Sequence, residues 1–209
     1  MTVLRRFRPS ALLRTGFIAP LAALSLAGCG INSIPTAEEN VNAKWANVQS
    51  EYQRRNDLIG NLVETVKGFA AQERGVLVAV TEARSRATST QISAADLSDP
   101  AKVRAYSEAQ TQVGNSVSRL LGPAIFEAYP DLKSNQNFLT LQSQLEGTEN
   151  SILVSRRDYN EAVQGYNTRI RTFPDAIGAK IFYGAKPKVP FEATAGSDTA
   201  PKVDFNTAG

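Results

Sequence analysis

The chain has 209 residues, of which 42% are hydrophobic and 21% are charged, a composition typical of one globular domain. Its basic character comes from Arg5, Arg6, Arg8 and Arg14, because the formal net charge falls from +3 to −1 when these four residues are removed. Charges of both signs are interspersed in the remainder, so no nucleic-acid partner is expected. With no histidine and with Cys29 as its only cysteine, the chain cannot form an intrachain disulfide or a nucleophilic triad that depends on histidine.

Residues 1–28 have the pattern of an export signal. Arginines precede an apolar stretch at residues 17–27, and small residues close it. A transmembrane helix, the alternative interpretation, needs about 20 apolar residues, and this stretch is shorter. The sequence Leu26-Ala27-Gly28-Cys29 resembles a bacterial lipobox. It predicts cleavage between Gly28 and Cys29, with a covalent lipid on Cys29 and no other cofactor.

The lipid also predicts where the protein resides. Several acyl chains on one cysteine anchor a protein stably, so a membrane is an expected partner. In bacteria with two membranes, an aspartate after the lipidated cysteine favours retention in the inner membrane. Gly30 instead resembles the residues that allow transport to the outer membrane. We therefore expect a protein anchored on the periplasmic side of the bacterial cell envelope, at the outer membrane in preference to the inner (plasma) membrane.

Residues 29–36 are predicted to be a tether and residues 37–183 a helical bundle. Thr36 and Glu39 fit a capping box at the start of the first helix, in which each side chain accepts a hydrogen bond from a free backbone N–H. Apolar residues then recur every three or four positions from Val41 to Ala83, with Arg55 and Glu73 falling on this stripe and interrupting it. This period of about 3.5 predicts a single helix of roughly fifty residues.

Two further helices follow a polar connection at residues 88–99. Asp99-Pro100 is typical of the N-cap and first position of a helix, and Gly122-Pro123 is expected to kink or break the helix that begins there. The third helix is expected to begin near Ser134 or Asn135 and to end at Phe173-Pro174, because a proline cannot continue a helix.

The C-terminal part is predicted to contain little further structure. Residues 175–183 allow a short fourth helix, and residues 184–209 mix Pro, Lys, Ala, Thr and Gly without a period, which predicts a flexible tail. Helices joined by short connections must alternate in direction. The sequence therefore predicts an all-α fold, an elongated antiparallel up-down bundle of three long helices plus a short C-terminal helix.

Aromatic and glycine residues on the first and third helices give two further expectations. Four aromatic residues on the apolar stripes are predicted to lie in the core: Trp45, Tyr52, Tyr159 and Tyr166. Gly60, Gly68 and Gly75 lie roughly on one face of the first helix, although a glycine costs about 0.8–1.0 kcal/mol relative to alanine there. They indicate either the close approach of another helix or weak positions that a well-packed helix tolerates.

Several segments resemble the LemA-like proteins. Residues 56–69 contain Asn-Asp-Leu-Ile-Gly-Asn-Leu-Val and then Val-Lys-Gly-Phe, similar to the family segment LIPNLV…VKGYA. Residues 127–133 match the family's most distinctive run, which continues through the third helix to Phe173-Pro174. The resemblance covers roughly residues 40–185 and implies a membrane-anchored, mostly helical antiparallel bundle without an established biochemical activity. Gly60 stands where the family usually has proline, and a lipobox stands where many members have an N-terminal transmembrane segment.

The predicted bundle offers few groups for catalysis. Glu146 and Glu149 are three positions apart, as are Asp96 and Asp99, but such pairs are common on solvated helix surfaces. The glycine loops that bind phosphates or dinucleotides do not occur. We therefore predict no catalytic residue and no metal site. The alternative is a hydrolase that uses Glu146 and Glu149.

A cluster of polar residues on the third helix is the best candidate for an interaction face. Its members are Glu149, Asn150, Arg156, Arg157, Asn160 and Asn167. Asn160 and Asn167 are one heptad apart, and each follows a tyrosine of the predicted core. They are expected either to hydrogen-bond neighbouring helices and so fix their register, or to contact a partner.

These features predict a non-enzymatic module of the cell envelope. Long amphipathic helices behind a lipid anchor suit a scaffold that contacts other envelope proteins, and an exposed stripe could also pair with a second copy of the chain. The alternative function is a carrier, in which the bundle opens to hold a lipid or another apolar ligand. A mass spectrum of the natively purified protein with its bound ligands would separate the two.

Overall fold

The computed structural model describes residues 32–70 and 73–192 of the chain. All the regular structure in these two ranges is helical, which confirms the predicted all-α class. The export signal, the lipobox with Cys29, and Gly30 lie outside the described residues. None of the described helices combines the length and the apolar character needed to cross a membrane.

The described helices follow one another with short connections. In chain order they are α1 (Ser33–Phe69), α2 (Arg74–Ser89), α3 (Pro100–Leu120), α4 (Pro123–Ala128), α5 (Pro130–Ser134), α6 (Gln136–Arg169) and α7 (Asp175–Gly178). A 3₁₀ turn at Ala94–Ser98 lies between α2 and α3, and a π-helical turn at Ala179–Tyr183 continues α7. The helical segment at 175–183 agrees with the predicted short C-terminal helix.

The four long helices alternate in direction along the bundle. Helix α2 runs back beside α1, because a Cβ atom added at Gly60 would lie 3.3 Å from the guanidinium of Arg84. Helix α6 is antiparallel to α1, since Lys44 pairs with Asp158 at 3.3 Å while residues later in α1 contact earlier positions of α6. The molecule is therefore an up-down-up-down four-helix bundle, and at 37 residues α1 is about 55 Å long.

The prediction of one helix of roughly fifty residues at the start of the bundle is wrong. The helix ends at Phe69 and α2 begins at Arg74, so the bundle has four long helices where three were expected. The apolar stripe continues across the break because α2 also turns one face to the core. Gly68 and Gly75 flank the break, and nothing lies within 4 Å of a Cβ added at either, so neither permits a close approach.

The predicted starts of α3 and α6 are confirmed. The carboxylate of Asp99 accepts hydrogen bonds from the N–H groups of Ala101 and Lys102, at 2.9 and 3.4 Å, with Pro100 at the first helical position. The side chain of Asn135 accepts from the N–H of Phe138 at 3.0 Å. Both caps satisfy donors that the helix itself leaves free.

The predicted capping box at Thr36 and Glu39 is wrong. Helix α1 begins earlier, at Ser33, so Thr36 lies inside the first turn and its hydroxyl donates to the carbonyl of Asn32 at 2.8 Å. A threonine hydroxyl that bonds the carbonyl four residues earlier is common within helices. The tether predicted at residues 29–36 therefore ends before Ser33.

The predicted break at Gly122-Pro123 is confirmed, because α3 ends at Leu120 and α4 begins at Pro123. A Cβ atom at Gly122 would lie 3.1 Å from the carbonyl oxygen of Arg119, which is tighter than ordinary packing. Glycine is the residue that allows this close approach of the backbone.

The core forms two clusters along the bundle. The aliphatic half is built from α1 beyond its middle, α2, most of α3 and the start of α6, and includes Ile59, Leu62, Val80, Val113, Leu120 and Leu145. The aromatic half surrounds the start of α1 and the end of α6, and includes Trp45, Tyr52, Tyr106, Tyr159, Tyr166 and Phe191. All four aromatic residues predicted for the core are buried in it.

Residues 184–192, which we call the C-terminal strap, differ from the flexible tail predicted from Gly184 onward. Gly184 adopts the left-handed conformation (φ 54°) that glycine tolerates, and there the helical turn gives way to the strap. Lys188 and Phe191 are buried against the aromatic half. The strap was missed because its order comes from contacts with distant residues rather than from a sequence period. Residues 193–209 lie outside the described part of the chain.

Candidate functional site

The polar cluster predicted on α6 divides into residues that contact the strap, one residue that pairs with α1, and two exposed residues. Arg156, Asn160 and Asn167 contact the strap, whereas Glu149 pairs with Arg55 of α1. Asn150 is exposed beside Glu149, on a groove between α3 and α6. Arg157 is exposed and approaches Asp158 at 3.7 Å. The six residues thus form no single face.

Asn160 and Asn167 bind the backbone of the strap in the same way. Asn167 donates through Nδ2 to the carbonyl of Lys188 (2.8 Å) and accepts through Oδ1 from the N–H of Lys188 (2.9 Å). Asn160 donates to the carbonyl of Phe191 (3.0 Å) and accepts from its N–H (2.8 Å). Each amide therefore satisfies one residue's donor and acceptor together, as a neighbouring strand would.

The spacing of the two asparagines matches that of an extended peptide. Seven residues of α-helix rise about 10.5 Å. Three residues of extended chain, the separation of Lys188 and Phe191, cover about 10 Å. A heptad pair of asparagines on α6 can thus hold every third residue of an extended segment. The two residues were expected to bond neighbouring helices or a partner, and the structure places them on the strap.

Three further bonds fix the strap, two at Val189 between these points and one at Glu192 beyond them. The N–H of Val189 donates to the carbonyl of Leu97 at 2.8 Å, and the carbonyl of Val189 accepts from the hydroxyl of Tyr159 at 2.9 Å. Arg156 donates to the carbonyl of Glu192 at 3.1 Å. The strap is therefore held mainly through its backbone, which makes the contact tolerant of sequence except where side chains are buried.

Two side chains of the strap enter distinct pockets. The ammonium of Lys188 lies 3.0 Å from a carboxylate oxygen of Glu38 and 5.5 Å from the ring centre of Tyr166. An acidic group and an aromatic face both favour a buried cation.

The second pocket receives Phe191. Its ring lies 5.3 Å from that of Tyr159 and 6.0 Å from that of Trp45, and the guanidinium of Arg156 covers it at 4.7 Å. Offset and edge-to-face ring pairs at these separations stabilise aromatic clusters beyond the area they bury.

The tyrosines of this half remain neutral hydrogen-bond donors. Burial raises the pKa of Tyr159 and that of Tyr106 well above the usual range. Burial and the nearby carboxylate of Glu38 raise the pKa of Tyr166. Because the phenol of Tyr159 stays protonated, its hydroxyl can donate to the strap at every physiological pH.

An ion pair between the buried Arg55 and the partly exposed Glu149 separates the two halves of the core. Arg55 is 3% exposed, and it donates to the side chain of Gln110 at 2.6 Å and to its carbonyl at 3.1 Å. It also meets Glu149 at 3.2 Å and stacks on Tyr52 at 5.0 Å. Burial raises the pKa of Tyr52, while the positive charges of Arg156 and Arg55 oppose this shift. Glu149 thus serves as the counter-ion of a buried cation.

The two carboxylates of the alternative hydrolase line one groove between α3 and α6, but they contact different partners. Glu149 contacts Arg55 in the core, whereas Glu146 is exposed and accepts from the side chain of Gln142 at 3.1 Å. Within the described ranges, no three acidic, histidine or cysteine side chains gather in a way that could hold a metal ion.

The second pair of acids stabilises the connection before α3. Asp96 accepts from the N–H and the hydroxyl of Ser93 and pairs with Lys102, and these hydrogen bonds, led by that of Lys102, hold its pKa well below the usual range. Asp99 caps α3. Both carboxylates are therefore used in structure.

The contacts that the strap makes outside the polar cluster, above all with Glu38 and the hydroxyl of Tyr159, were not predicted from the sequence. One signal for them was available. The tail contains Lys188, Val189 and Phe191, and the separation of Lys188 and Phe191 fits the heptad pair on α6, as does that of Lys202 and Phe205.

The comparisons with known proteins agree on one family. A model of the LemA family matches residues 44–205, a range that includes the whole strap. Magnetosome proteins MamQ 1 and MamQ 2 of Paramagnetospirillum magneticum are each 28% identical over 159 residues, which cover 68% of this chain and 58% of the relative. Protein LemA of Metamycoplasma hominis is 23% identical over 126 residues, 60% of this chain and 52% of its own. The chain thus spans somewhat more than half the length of these relatives.

Proposed function

The chain belongs to the LemA family, and from this premise we propose that it is a lipid-anchored, non-enzymatic module of the bacterial envelope that binds other proteins. The anchor is the lipid on Cys29, on the periplasmic side of the envelope. The outer membrane is favoured by Gly30 over the inner membrane. The module uses no cofactor and binds no nucleic acid.

The observation that carries this proposal is the use of the polar face of α6. Asn160, Asn167 and Arg156 satisfy the backbone of an extended peptide, and aromatic and acidic pockets receive two of its side chains. Recognition of extended peptides in proteins relies on such main-chain bonds, with side-chain pockets adding specificity. The polar face of α6 in the described part of the chain is thus of a kind that binds polypeptide.

Three of the four carboxylates considered for catalysis have structural roles, which supports a non-enzymatic function, while the fourth, Glu146, is exposed. Glu149 neutralises Arg55, while Asp96 caps the 3₁₀ turn before α3 and Asp99 caps α3 itself. An active site typically keeps a base within reach of a nucleophile or a substrate proton. These carboxylates are instead committed to groups of the fold itself.

The proposal is tested by crosslinking the tagged chain in living cells and identifying the captured proteins by mass spectrometry. The N-terminal peptide is analysed in the same sample, and a diacyl or triacyl modification of Cys29 is expected. The unlipidated Cys29→Ala chain is the matched control. We expect a small, reproducible set of envelope proteins that is lost with the control. An empty capture, or the same proteins captured by the control, would contradict an anchored interaction module.

A further inference from the structure

One end of the bundle exposes large apolar side chains within a short stretch. Five of them lie between residues 173 and 183: Phe173 (82% exposed), Ile177 (52%), Ile181 (68%), Phe182 (65%) and Tyr183 (43%). We call these five residues the end patch. Apolar residues exposed singly are common on soluble proteins, but a cluster of this kind marks an interaction surface.

Helix α7 and its π-helical turn face the bundle with their small residues and expose their large apolar ones, the reverse of an amphipathic helix in a soluble protein. Gly178 and Ala179 face the bundle, and a Cβ added at Gly178 would lie 3.7 Å from Cδ1 of Ile34. The small residues are therefore inside while Ile177 and Ile181, one turn apart, are outside. An amphipathic helix in a soluble protein turns its large apolar residues inward.

The end patch lies where the chain arrives from its anchor. The hydroxyl of Ser33, at the start of α1, donates to the carboxylate of Asp175 at 2.6 Å. Cys29 precedes Ser33 by four positions, and four residues of extended chain span at most about 14 Å. A lipid on Cys29 would therefore hold this end of the bundle close to the membrane surface.

The charges near the end patch are mostly positive. Arg169, Arg171, Lys180 and Lys186 are all exposed, and Asp175 is the one acid between residues 165 and 187. Asp175 is engaged by Ser33, and Glu39 on α1 is exposed. Basic side chains around exposed aromatic and aliphatic residues are the combination that binds the interface of an anionic bilayer.

We propose that the end patch inserts into the interface of an anionic lipid bilayer and docks the bundle end-on against it. This inference rests on the anchoring proposed for Cys29, which supplies the proximity. Phe173, Phe182 and Tyr183 enter the headgroup region, where aromatic side chains are enriched, while the four cations contact lipid phosphates. The lipid retains the protein at the membrane, and the end patch sets its orientation.

The test uses the full, lipidated chain with one new cysteine, because a lipidated Cys29 leaves no other thiol for labelling. Thr172→Cys carries an environment-sensitive fluorophore beside the end patch. Thr140→Cys is the matched control, since each threonine is exposed and donates its hydroxyl to the carbonyl four residues earlier, at 3.0 and 2.8 Å. About 44 Å of α6 separate Thr140 from the helix end at Arg169.

Each labelled chain is reconstituted into vesicles of phosphatidylethanolamine and phosphatidylglycerol, and quenching by acrylamide, a neutral aqueous quencher, is measured. We expect quenching at position 172 to be at least about threefold weaker than at position 140. Substituting Ile181→Ser and Phe182→Ser together, at exposed sites, is expected to remove this difference. In vesicles of phosphatidylcholine alone the shielding is expected to weaken, and equal shielding in both lipids would overturn the role of the cations.

The outcomes separate this inference from the anchoring. Chains that float with the vesicles but are quenched equally at both positions overturn the docking and leave the anchor intact. Chains that do not float overturn both. Shielding of position 172 that appears only at a high protein-to-lipid ratio would assign the end patch to a second copy of the chain and overturn the membrane as its occupant.

Discussion

The two halves of the core are stabilised by different kinds of contact. In the aliphatic half, most buried side chains are aliphatic, such as Leu62 and Val113, and make no directional contacts, although Phe126 and Phe138 form an edge-to-face ring pair there. In the aromatic half, ring pairs and hydrogen bonds specify where each group lies, and the strap is part of the core. The comparison teaches that the aromatic half holds an extended segment through specific polar and ring contacts, while the aliphatic half is held mainly by apolar burial.

The largest difference between the halves is expected when a large core residue is truncated. Trp45→Ala should lower the free energy of unfolding by about 3–5 kcal/mol and Leu62→Ala by about 2–5 kcal/mol, since both side chains are buried. Urea denaturation measures both. Only Trp45→Ala should also release the strap, because Trp45 contacts Phe191. Equal proteolytic cleavage within residues 184–192 in the two variants would erase the distinction between the halves.

A smaller effect is expected at the boundary between the halves. Glu149→Ala removes the counter-ion of a buried guanidinium and should cost about 1–3 kcal/mol. The cost stays below that of breaking a fully buried pair, because the side chain of Glu149 is 44% exposed. The control Glu146→Ala, at an exposed position one turn away, should change stability by less than about 0.5 kcal/mol. Thermal or urea unfolding that ranks the two variants in the opposite order would contradict this role of Glu149.

The smallest effect concerns the guanidinium over Phe191. Arg156→Ala should cost about 0.5–1 kcal/mol, because it removes a partly exposed cation–π contact and the bond to Glu192. Arg157→Ala, its exposed neighbour, should be neutral. Chemical denaturation of the two variants makes the comparison. A larger loss for Arg157→Ala would show that the aromatic half is not held in the way described.

The sequence predicts the helical class and much of the core because burial leaves a periodic record. The stripe that contains Trp45 and Tyr159 follows directly from spacing. The spacing of apolar residues is the same whether the chain continues as one helix or turns back as a second one. The break before Arg74 was therefore missed, because no proline or glycine at residues 70–73 indicates it. Local caps such as Asp99 were predictable, because they depend on neighbouring residues only.

The strap and its site could be only half predicted. The pair Asn160 and Asn167 stood out as polar residues one heptad apart beside core tyrosines, but their partner lay in a segment without a period. Bonds from a side chain to the backbone of a distant segment leave no pattern in that segment. The end patch was missed for a related reason, since only the packing of Gly178 and Ala179 shows which side of residues 175–183 is exposed.

The central claim, that two asparagines of α6 hold an extended segment, is tested most directly by hydrogen exchange of the strap amides. The wild-type chain should protect the N–H groups of Lys188, Val189 and Phe191, each of which donates a hydrogen bond. In a chain with Asn160→Ala and Asn167→Ala, we expect this protection to fall by more than about tenfold, because each lost bond contributes about 0.5–1.5 kcal/mol.

Exchange in the aliphatic half, and throughout an Asn150→Ala control at an exposed position of α6, should stay unchanged. Undiminished protection of the strap amides in the double variant, with the aliphatic half equally intact, would contradict the account.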